Sequence, residues 1–458
     1  MENVIPSEFR EKEFKARRLQ NWITIGFLYS LFYMTRYNFS ANAPTLQSIF
    51  GWTKGDLGIF ETLLPLVYGL AVVINGPLAD KIGGKKSFLI GSVGVIIMNF
   101  LFGAAGYLVI APAIMDGKEV AKDAVLIWGF TKQSLLWSMA IVWAVNGYFQ
   151  AFGALSIVKI NAQWFHIRER GTFAAIFGVL IRFGLILSFS VTPFIALTLS
   201  WKWAFWIPAM LVTILFFLTL YFVKDTPAQA GYSNLDTGDG AFDPNEKIKL
   251  REVLKKVFAS KVMWMIGLGS MMIGFVRRSV VDAWYPVYFK DVFGVNGTDT
   301  AFQLAAWGIA VLGIAGGFVF GIMSDKVYKG RRAPVIVYGF IGMVIILILF
   351  AVSDALNLGP IMAAVMIMFL SFFVNGAHGM IGGAASMDFG GRKAAATAAG
   401  LIDGFQYLAG AFVGQAVGYI TTTYGWQAWK LWPIPFAIIG AIVMMFLWNA
   451  MPKEKSGH

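Results

Sequence analysis

Long apolar segments recur along the chain, separated by short stretches that carry most of the charge. Each is about 20 residues or longer, enough at about 1.5 Å per residue to cross the roughly 30 Å hydrocarbon core of a bilayer. The pattern predicts twelve transmembrane helices in two groups of six, divided by a polar stretch at 224–260. The segments are 22–43, 56–78, 87–112, 133–160, 171–198 and 203–223, then 262–289, 300–324, 332–352, 359–387, 395–421 and 427–450.

Composition narrows the class of protein. Of the 458 residues, 58% are hydrophobic and 14% charged, and the mean hydropathy of +0.67 excludes a soluble enzyme. The first residues, 1–20, are too polar to be a signal peptide. The chain has no cysteine, so it has neither a disulfide framework nor a thiolate metal site. We expect a polytopic helical membrane protein with no cofactor and no metal.

Positive charge is distributed unevenly between the loops. Most of the 37 lysines and arginines fall in alternate loops and near the two termini. This bias predicts that both termini and the central loop lie on the cytoplasmic side of the cell (inner) membrane. The formal net charge of +12 then follows from topology, with anionic lipid headgroups as its expected neighbours and no role for nucleic acid.

Two loops repeat one motif at matched places in the two groups. Each has a glycine, three residues, Asp-Lys, then a glycine and a basic pair. The glycine lets helix ends approach closely, and the aspartate can pair with basic groups or cap a helix N-terminus. The repeat predicts two related halves, 1–223 and 261–458, joined by a cytoplasmic linker at 224–260. The loops, expected to act in conformational exchange, centre on Gly76, Asp80 and Lys81 and on Gly321, Asp325 and Lys326.

An arginine lies in the middle of the first apolar segment. Arg36 has no acidic residue within 22–43, and the helix rise places it roughly 20 Å into the membrane. A charge at that depth costs at least about 2.5–3.5 kcal/mol, and such residues usually face a water-filled cavity. The alternative is a side chain that snorkels to the nearer interface. The same anomaly in the seventh segment favours the cavity.

That seventh segment carries two adjacent arginines and an aspartate. Arg277 follows Arg36 by about the offset that separates the two repeated loops, so the two should face each other between the halves. Arg278 and Asp282 are four residues apart, which on an α-helix predicts an ion pair and leaves Arg277 unpaired. Facing guanidinium groups repel, and a divalent anion would relieve them. The alternative is a structural network in which Asp282 and Asp403 neutralise both arginines.

These motifs resemble the major facilitator superfamily and, within it, the organophosphate:phosphate antiporters. The resemblance implies an all-α membrane protein of twelve transmembrane helices, in two six-helix halves related by a pseudo-two-fold axis. It also implies exchange of a sugar phosphate, glycerol phosphate or phosphoglycerate for inorganic phosphate by alternating access. Besides the two loops it rests on Arg36-Tyr37-Asn38-Phe39, Gly55-Asp56-Leu57-Gly58, Glu169-Arg170-Gly171, Lys224-Asp225-Thr226-Pro227 and the stretch 393–400.

The resemblance also implies roles for individual residues. In that family, arginines at the positions of Arg36 and Arg277 clamp the substrate phosphate. Tyr68 and Tyr407 fall where the family has cavity tyrosines, and Tyr33 lies one turn before Arg36. Aromatic residues are common in transmembrane helices, so a purely structural role is the alternative for each tyrosine.

Two positions near the end of the fourth segment qualify the resemblance. The family often has a basic residue at Lys159, although a side chain this close to the helix end can also snorkel. Glycerol-3-phosphate carriers have a histidine of the phosphate site where this chain has Gln163. The departure weakens a claim on glycerol 3-phosphate and removes a group that could respond to pH.

Further polar residues lie within predicted helices. Arg182, roughly 16 Å deep by helix rise, has no counterpart in the family. It either binds a second anionic group of the substrate or pairs with an acidic residue of another helix. His378, beside Asn375, is more typical of a hydrogen-bonded helix contact than of a ligand, and Asp403 is an expected partner for a basic group.

The chain carries no nucleotide-binding motif and no cluster of catalytic residues, so we expect neither a primary pump nor an enzyme. The expected partners are a small phosphorylated anion, inorganic phosphate and membrane lipid, and we expect a monomer. Two other functions stay open. One is proton-coupled symport of an organic anion on the same fold, and the other is a transporter-like receptor that binds a sugar phosphate without moving it.

Overall fold

Helices form at the apolar segments in the computed structural model, which describes residues 7–115, 118–129, 131–166, 170–233, 259–381 and 395–450. In the first half they are α1 (Ser7–Phe50), α2 (Lys54–Ile82), α3 (Gly84–Ala104), α4 (Lys132–Trp164), α5 (Arg170–Ile186), α6 (Thr192–Thr198) and α7 (Trp203–Phe222). In the second half they are α8 (Lys261–Val276), α9 (Tyr285–Phe293), α10 (Thr300–Ile322), α11 (Ala333–Ala355), α12 (Gly359–His378), α13 (Ala395–Thr423), α14 (Gly425–Leu431) and α15 (Ile434–Met445).

Three five-residue π-helical turns lie within or at the ends of the described spans. Leu187–Val191 joins α5 to α6, Arg277–Val281 leads from α8 toward α9, and Met323–Val327 extends α10. If α5 with α6, α8 with α9 and α14 with α15 each count as one crossing, the described helices make twelve spans. This matches the number that the hydropathy pattern predicts.

Nine of the described spans are long and apolar enough to cross a membrane on length and composition alone. The other three are α1, the α8–α9 span and α13. They carry Arg36, the group at 277–282 and Asp403, and their polar residues lower their mean hydropathy. The three spans outside this group therefore carry part of the candidate site, as expected of helices whose polar faces line the protein interior.

A β-hairpin replaces the end of the predicted third span. The sequence predicts a helix over 87–112, but α3 ends at Ala104, and Val109–Met115 (β1) pairs antiparallel with Lys118–Leu126 (β2). Pro112 lacks the N–H that a helix needs and lies at an irregularity of the strand register. Val109, Ile110 and Ile114 in the same stretch are β-branched, which favours a strand. The prediction was wrong here because hydropathy alone does not separate a short apolar strand from a helix end.

The two halves pack against each other along α2 and α13, and along α5 and α10. The α2–α13 contact is close enough that a Cβ at Gly58 would lie 2.7 Å from the Gly414 carbonyl oxygen. Lys54, at the start of α2, has its Nζ 2.8 Å from a carboxylate oxygen of Asp291. Lys54 lies one crossing away from the N-terminus, so the halves are closed against each other on the face opposite to the chain termini.

The two repeated loops share a backbone feature. Gly83 and Gly330 have φ of 96° and 85°, a conformation that glycine adopts without strain. Lys81 and Lys326 are exposed. The shared turn adds a structural match to the sequence repeat. The boundaries of the halves stay a prediction, since residues 234–258 of the linker lie outside the described part of the chain.

Aspartates make the polar contacts of these loops. Asp225, in the Lys224-Asp225-Thr226-Pro227 motif, accepts the backbone N–H of Lys85 at 2.7 Å and so caps the N-terminus of α3. Asp325 lies 2.5 Å from Arg332, within the second loop. The side chain of Asp80, its counterpart in the first loop, lies outside the described part of the structure.

The close contact between the halves gives a stability prediction. A Cβ at Gly414 would lie 2.4 Å from Thr62 Oγ1, whereas one at Gly404 on the same helix meets nothing within 4 Å. We expect Gly414→Ala to lower the free energy of unfolding by about 1–3 kcal/mol through overpacking. Gly404→Ala, the matched control, should be neutral or stabilising by up to about 1 kcal/mol because alanine favours helix. Thermal unfolding in detergent measures both, and equal effects of the two substitutions would contradict the contact.

Candidate functional site

A small cavity lies between the halves at the level of the π-turn Arg277–Val281. Its volume is about 30 Å³, close to the share of one water molecule in the liquid. The lining side chains therefore fill almost all of the space between the halves at this level. They come from α1, α2, α8 with its π-turn, and α13. The lining residues are Arg36, Tyr37, Leu64, Pro65, Gly274, Arg277, Arg278, Asp282, Gln406, Tyr407 and Gly410.

A run of buried polar side chains crosses the first half and ends at Arg36. Asn99 donates to Asn146 Oδ1 at 3.4 Å, and Asn146 donates to the Thr35 carbonyl at 3.1 Å. Gln150 Nε2 donates to Thr35 Oγ1 at 3.0 Å, which fixes the orientation of its amide. The Gln150 oxygen then accepts from Arg36 Nε at 3.3 Å and from Nη2 at 3.2 Å. Gln150 therefore binds the Nε–Nη2 edge of the guanidinium group, and Arg36 also lines the cavity.

Three tyrosines surround the same guanidinium group. The Arg36 Cζ lies 4.7 Å from the ring centroid of Tyr33 and 4.5 Å from that of Tyr68, both cation–π distances. Arg36 Nη1 donates to the hydroxyl of Tyr407 at 3.3 Å. Arg36 is 3% exposed, and no carboxylate of a described residue forms an ion pair with it. Within the described part of the chain its charge is therefore offset by neutral dipoles and aromatic faces.

The geometry of the π-turn decides which arginine Asp282 contacts. The Asp282 N–H donates to the Arg277 carbonyl at 3.0 Å, an i→i+5 bond that brings residues five apart onto one face. Arg277 Nε accordingly lies 2.8 Å from Asp282 Oδ2, although its N–H is not aligned for a hydrogen bond. The predicted pair of Arg278 with Asp282, and the predicted unpaired Arg277, are thereby corrected. The four-residue spacing rule assumes an α-helix, and this turn is not one.

Arg278 instead pairs across the halves with Glu61 of α2. Ser40 Oγ donates to the second carboxylate oxygen at 2.5 Å, and Glu61 is 4% exposed. Prediction from the sequence did not identify Glu61. Its position inside an apolar segment is the signal that could have done so, because a chain with buried arginines needs buried acids.

Polar side chains of α12 and α13 lead from Arg277 to Arg182. Gln406 Oε1 accepts from Arg277 Nη1 at 3.2 Å, and Gln406 Nε2 lies 3.0 Å from His378 Nδ1. One turn earlier on α12, Asn375 Oδ1 accepts from Arg182 of α5. His378 is therefore a hydrogen-bonded contact between helices, and Arg182 reaches from one half to the other. Gln406 is a further residue that was not predicted from the sequence.

Three predicted residues lie apart from these contacts. Lys159 Nζ donates to the Ala79 carbonyl at 2.8 Å, near the first repeated loop. Gln163, one turn further along α4, is exposed. Neither lines the cavity. Asp403 forms no ion pair with a described residue, so the predicted network that joins it to the arginines is not formed in this part of the structure.

Positive charge is in excess in this region. Each arginine of the π-turn has one carboxylate, whereas Arg36 and Arg182 form no ion pair with a described residue. Buried between the halves, this excess favours an anion, and the planar guanidinium group suits phosphate and carboxylate. A larger cavity of about 620 Å³ lies between α2 and α4. The residues that line it are aliphatic and aromatic, and none of them carries a positive charge that would bind an anion.

The cross-half ion pair gives a second prediction. Glu61→Gln leaves Arg278 buried without its partner and should lower the free energy of unfolding by about 3–5 kcal/mol. Glu61→Leu combined with Arg278→Met removes both charges and should recover most of that loss. Thermal unfolding of the single and double variants gives the coupling energy. A larger coupling of Arg278 to Asp282 than to Glu61 would contradict the observed pairing.

Comparison with known proteins agrees with this architecture. A family model of the Major Facilitator Superfamily matches residues 25–414. The Glycerol-3-phosphate transporter of Bacillus subtilis is 30% identical over 446 residues, 95% of this chain and 93% of that protein. The Membrane sensor protein UhpC of Salmonella typhimurium is 26% identical over 94% of this chain and 92% of its own length.

Solved structures share the fold. The crystal structure of a D-xylose-proton symporter matches 95% of this chain and 98% of its own, with a TM-score of 0.70 at 16% identity. The predicted all-α, twelve-helix fold and the resemblance to organophosphate carriers are confirmed. This chain belongs to the major facilitator superfamily and is a multi-pass membrane transporter rather than an enzyme.

Proposed function

We propose that this transporter exchanges a phosphorylated organic anion for inorganic phosphate across the cell membrane. The observation that carries the proposal is Arg36, buried among Gln150 and three tyrosines without a carboxylate partner in the described residues. Arg36 and Arg277 line one cavity. A phosphate group has enough charge and enough oxygens to bridge two guanidinium groups, each bidentately. The similarity to a glycerol-3-phosphate transporter supports a phosphorylated organic substrate.

Binding of phosphate would replace an internal ion pair. Asp282 Oδ2 forms an ion pair with Arg277 and also accepts a hydrogen bond from the Tyr37 hydroxyl at 3.4 Å. An arriving phosphate dianion competes with Asp282 for Arg277, and the Tyr37 hydroxyl can retain the displaced carboxylate. Arg278 stays paired with Glu61 and holds the two halves in register. Replacement, rather than filling of a void, fits a cavity of about 30 Å³.

Alternating access would use the contacts between the halves. With the termini on the cytoplasmic side, the Gly58–Gly414 contact and the Lys54–Asp291 pair close the outer face. Rocking of 1–223 against 261–458 about the cavity would break these contacts and open that face. The linker at 224–260 and the two repeated loops lie on the cytoplasmic side, where they take part in the change. Reorientation without an anion would carry the uncompensated charge of Arg36 through the closed state, which favours exchange over net movement.

The proposal predicts which arginines transport cannot lose. Arg36→Lys and Arg277→Lys keep the charge but lose bidentate geometry, and a charged hydrogen bond is worth about 1.5–3 kcal/mol. We expect both variants to lose phosphate exchange. Arg278→Lys should be milder, because a lysine can still pair with Glu61. The measurement is uptake of radiolabelled phosphate into proteoliposomes loaded with phosphate or with three- to six-carbon organophosphates.

Other outcomes would exclude the proposal. Uptake that needs a proton gradient and no internal phosphate would make the protein a symporter. Binding without flux would make it a receptor, a role that the name of one relative, a membrane sensor, makes worth testing. Normal exchange by Arg277→Lys with none by Arg278→Lys would show that the phosphate arginine is assigned to the wrong residue.

A further inference from the structure

We propose that Arg182 forms a second subsite that binds a carboxylate, so that the preferred cargo is a short phosphorylated carboxylic acid. This inference rests on the proposed function, in which Arg36 and Arg277 hold the phosphate. It concerns a residue outside that pair and assigns the class of the organic substrate.

The bonding of Arg182 is incomplete. Its Nη2 donates to Asn375 Oδ1 across the interface between the halves. Its Nη1 is buried and has no hydrogen-bond partner among the described residues. The Cζ lies 3.4 Å from the position of a Cβ on Gly313, so glycine at this point of α10 leaves room for the guanidinium group. A buried charged donor without a partner is costly, and a ligand oxygen would satisfy it.

The local charge favours a carboxylate over a second phosphate. Glu61 and Asp282 are each engaged by an arginine of the π-turn, and Arg182 forms no ion pair with a described residue. It therefore contributes one uncompensated positive charge. A carboxylate carries one negative charge and accepts two parallel hydrogen bonds from a guanidinium group. A phosphomonoester dianion at the same place would leave a negative charge buried without a partner.

The Arg182 subsite is connected to the phosphate side by a short chain of contacts. Asn375 and His378 are three residues apart on α12, about 4.5 Å along the helix axis. His378 contacts Gln406, which accepts from Arg277 at 3.2 Å and lines the cavity. A compound with only a few carbon atoms between its phosphate and its carboxylate fits this spacing. A single substrate would then contact Arg36 and Arg277 through its phosphate and Arg182 through its carboxylate.

The test compares two competitors that differ in one group. 3-Phosphoglycerate has a carboxylate where glycerol 3-phosphate has a hydroxymethyl group, and both inhibit phosphate:phosphate exchange in proteoliposomes if they bind. We expect the wild type to be inhibited by 3-phosphoglycerate at a concentration at least about tenfold lower, the effect of one charged hydrogen bond. In Arg182→Gln this preference should fall to near one. Lys132→Gln, which removes a positive charge from an exposed helix start, is the matched control and should keep it.

A second variant protects the test against misfolding. Asn375→Asp keeps Arg182 but places an internal carboxylate beside it, so it should bring the preference for 3-phosphoglycerate over glycerol 3-phosphate to near one. Equal inhibition of the wild type by both compounds would overturn the inference. A loss of both affinities by the same factor in Arg182→Gln and no change in Asn375→Asp would overturn it as well.

A binding measurement separates this inference from the proposed function. Thermal stabilisation of the purified protein by each compound does not depend on exchange. Greater stabilisation by 3-phosphoglycerate, lost in Arg182→Gln, would support the subsite even if the vesicles show no phosphate exchange. Exchange without that difference would support the proposed function and overturn the subsite.

Discussion

A positive charge buried between two apolar bundles has to be compensated, and this protein compensates its arginines unequally. Arg277 and Arg278 each have a carboxylate, whereas among the described residues Arg36 contacts an amide, a hydroxyl and aromatic faces. Dipoles and rings offset part of a charge but do not neutralise it. The difference separates a structural ion pair, Arg278 with Glu61, from a guanidinium group that still attracts an anion. The architecture around the cavity follows from holding that group in place.

The helices that carry this site contain many buried polar residues. Gln150 orients Arg36 because its own amide donates to Thr35 Oγ1, while Asn146 donates to the Thr35 carbonyl, so polar groups occupy the core of the first half beside Arg36. Three of the spans that carry candidate polar residues do not reach the length and hydropathy of the other nine described spans. They are stable in the bundle because their polar faces meet each other rather than lipid. Close glycine contacts such as Gly58 with Gly414 bring α2 and α13 near enough for this.

The sequence predicted the spans well because hydropathy measures the property that membrane insertion requires. It also identified Arg36, Arg277 and Arg182, since a charge inside an apolar segment stands out. It failed where local backbone geometry decides a contact. Because of the π-turn, Asp282 pairs with Arg277 rather than with Arg278. The residue pattern does not predict such a turn. Glu61 also lies inside an apolar segment and could have been identified by the same rule, but its pairing could not, because its partner is 217 residues away in the chain, a separation that spacing rules do not reach.

The most direct test of the account is an experimental structure with inorganic phosphate bound. The account predicts phosphate oxygens within hydrogen-bond distance of Arg36 and Arg277, Asp282 displaced from Arg277 toward Tyr37, and Arg278 still paired with Glu61. A phosphate on Arg278 with the Glu61 pair broken would contradict it. So would a phosphate bound outside the cavity while Arg36 keeps its present contacts.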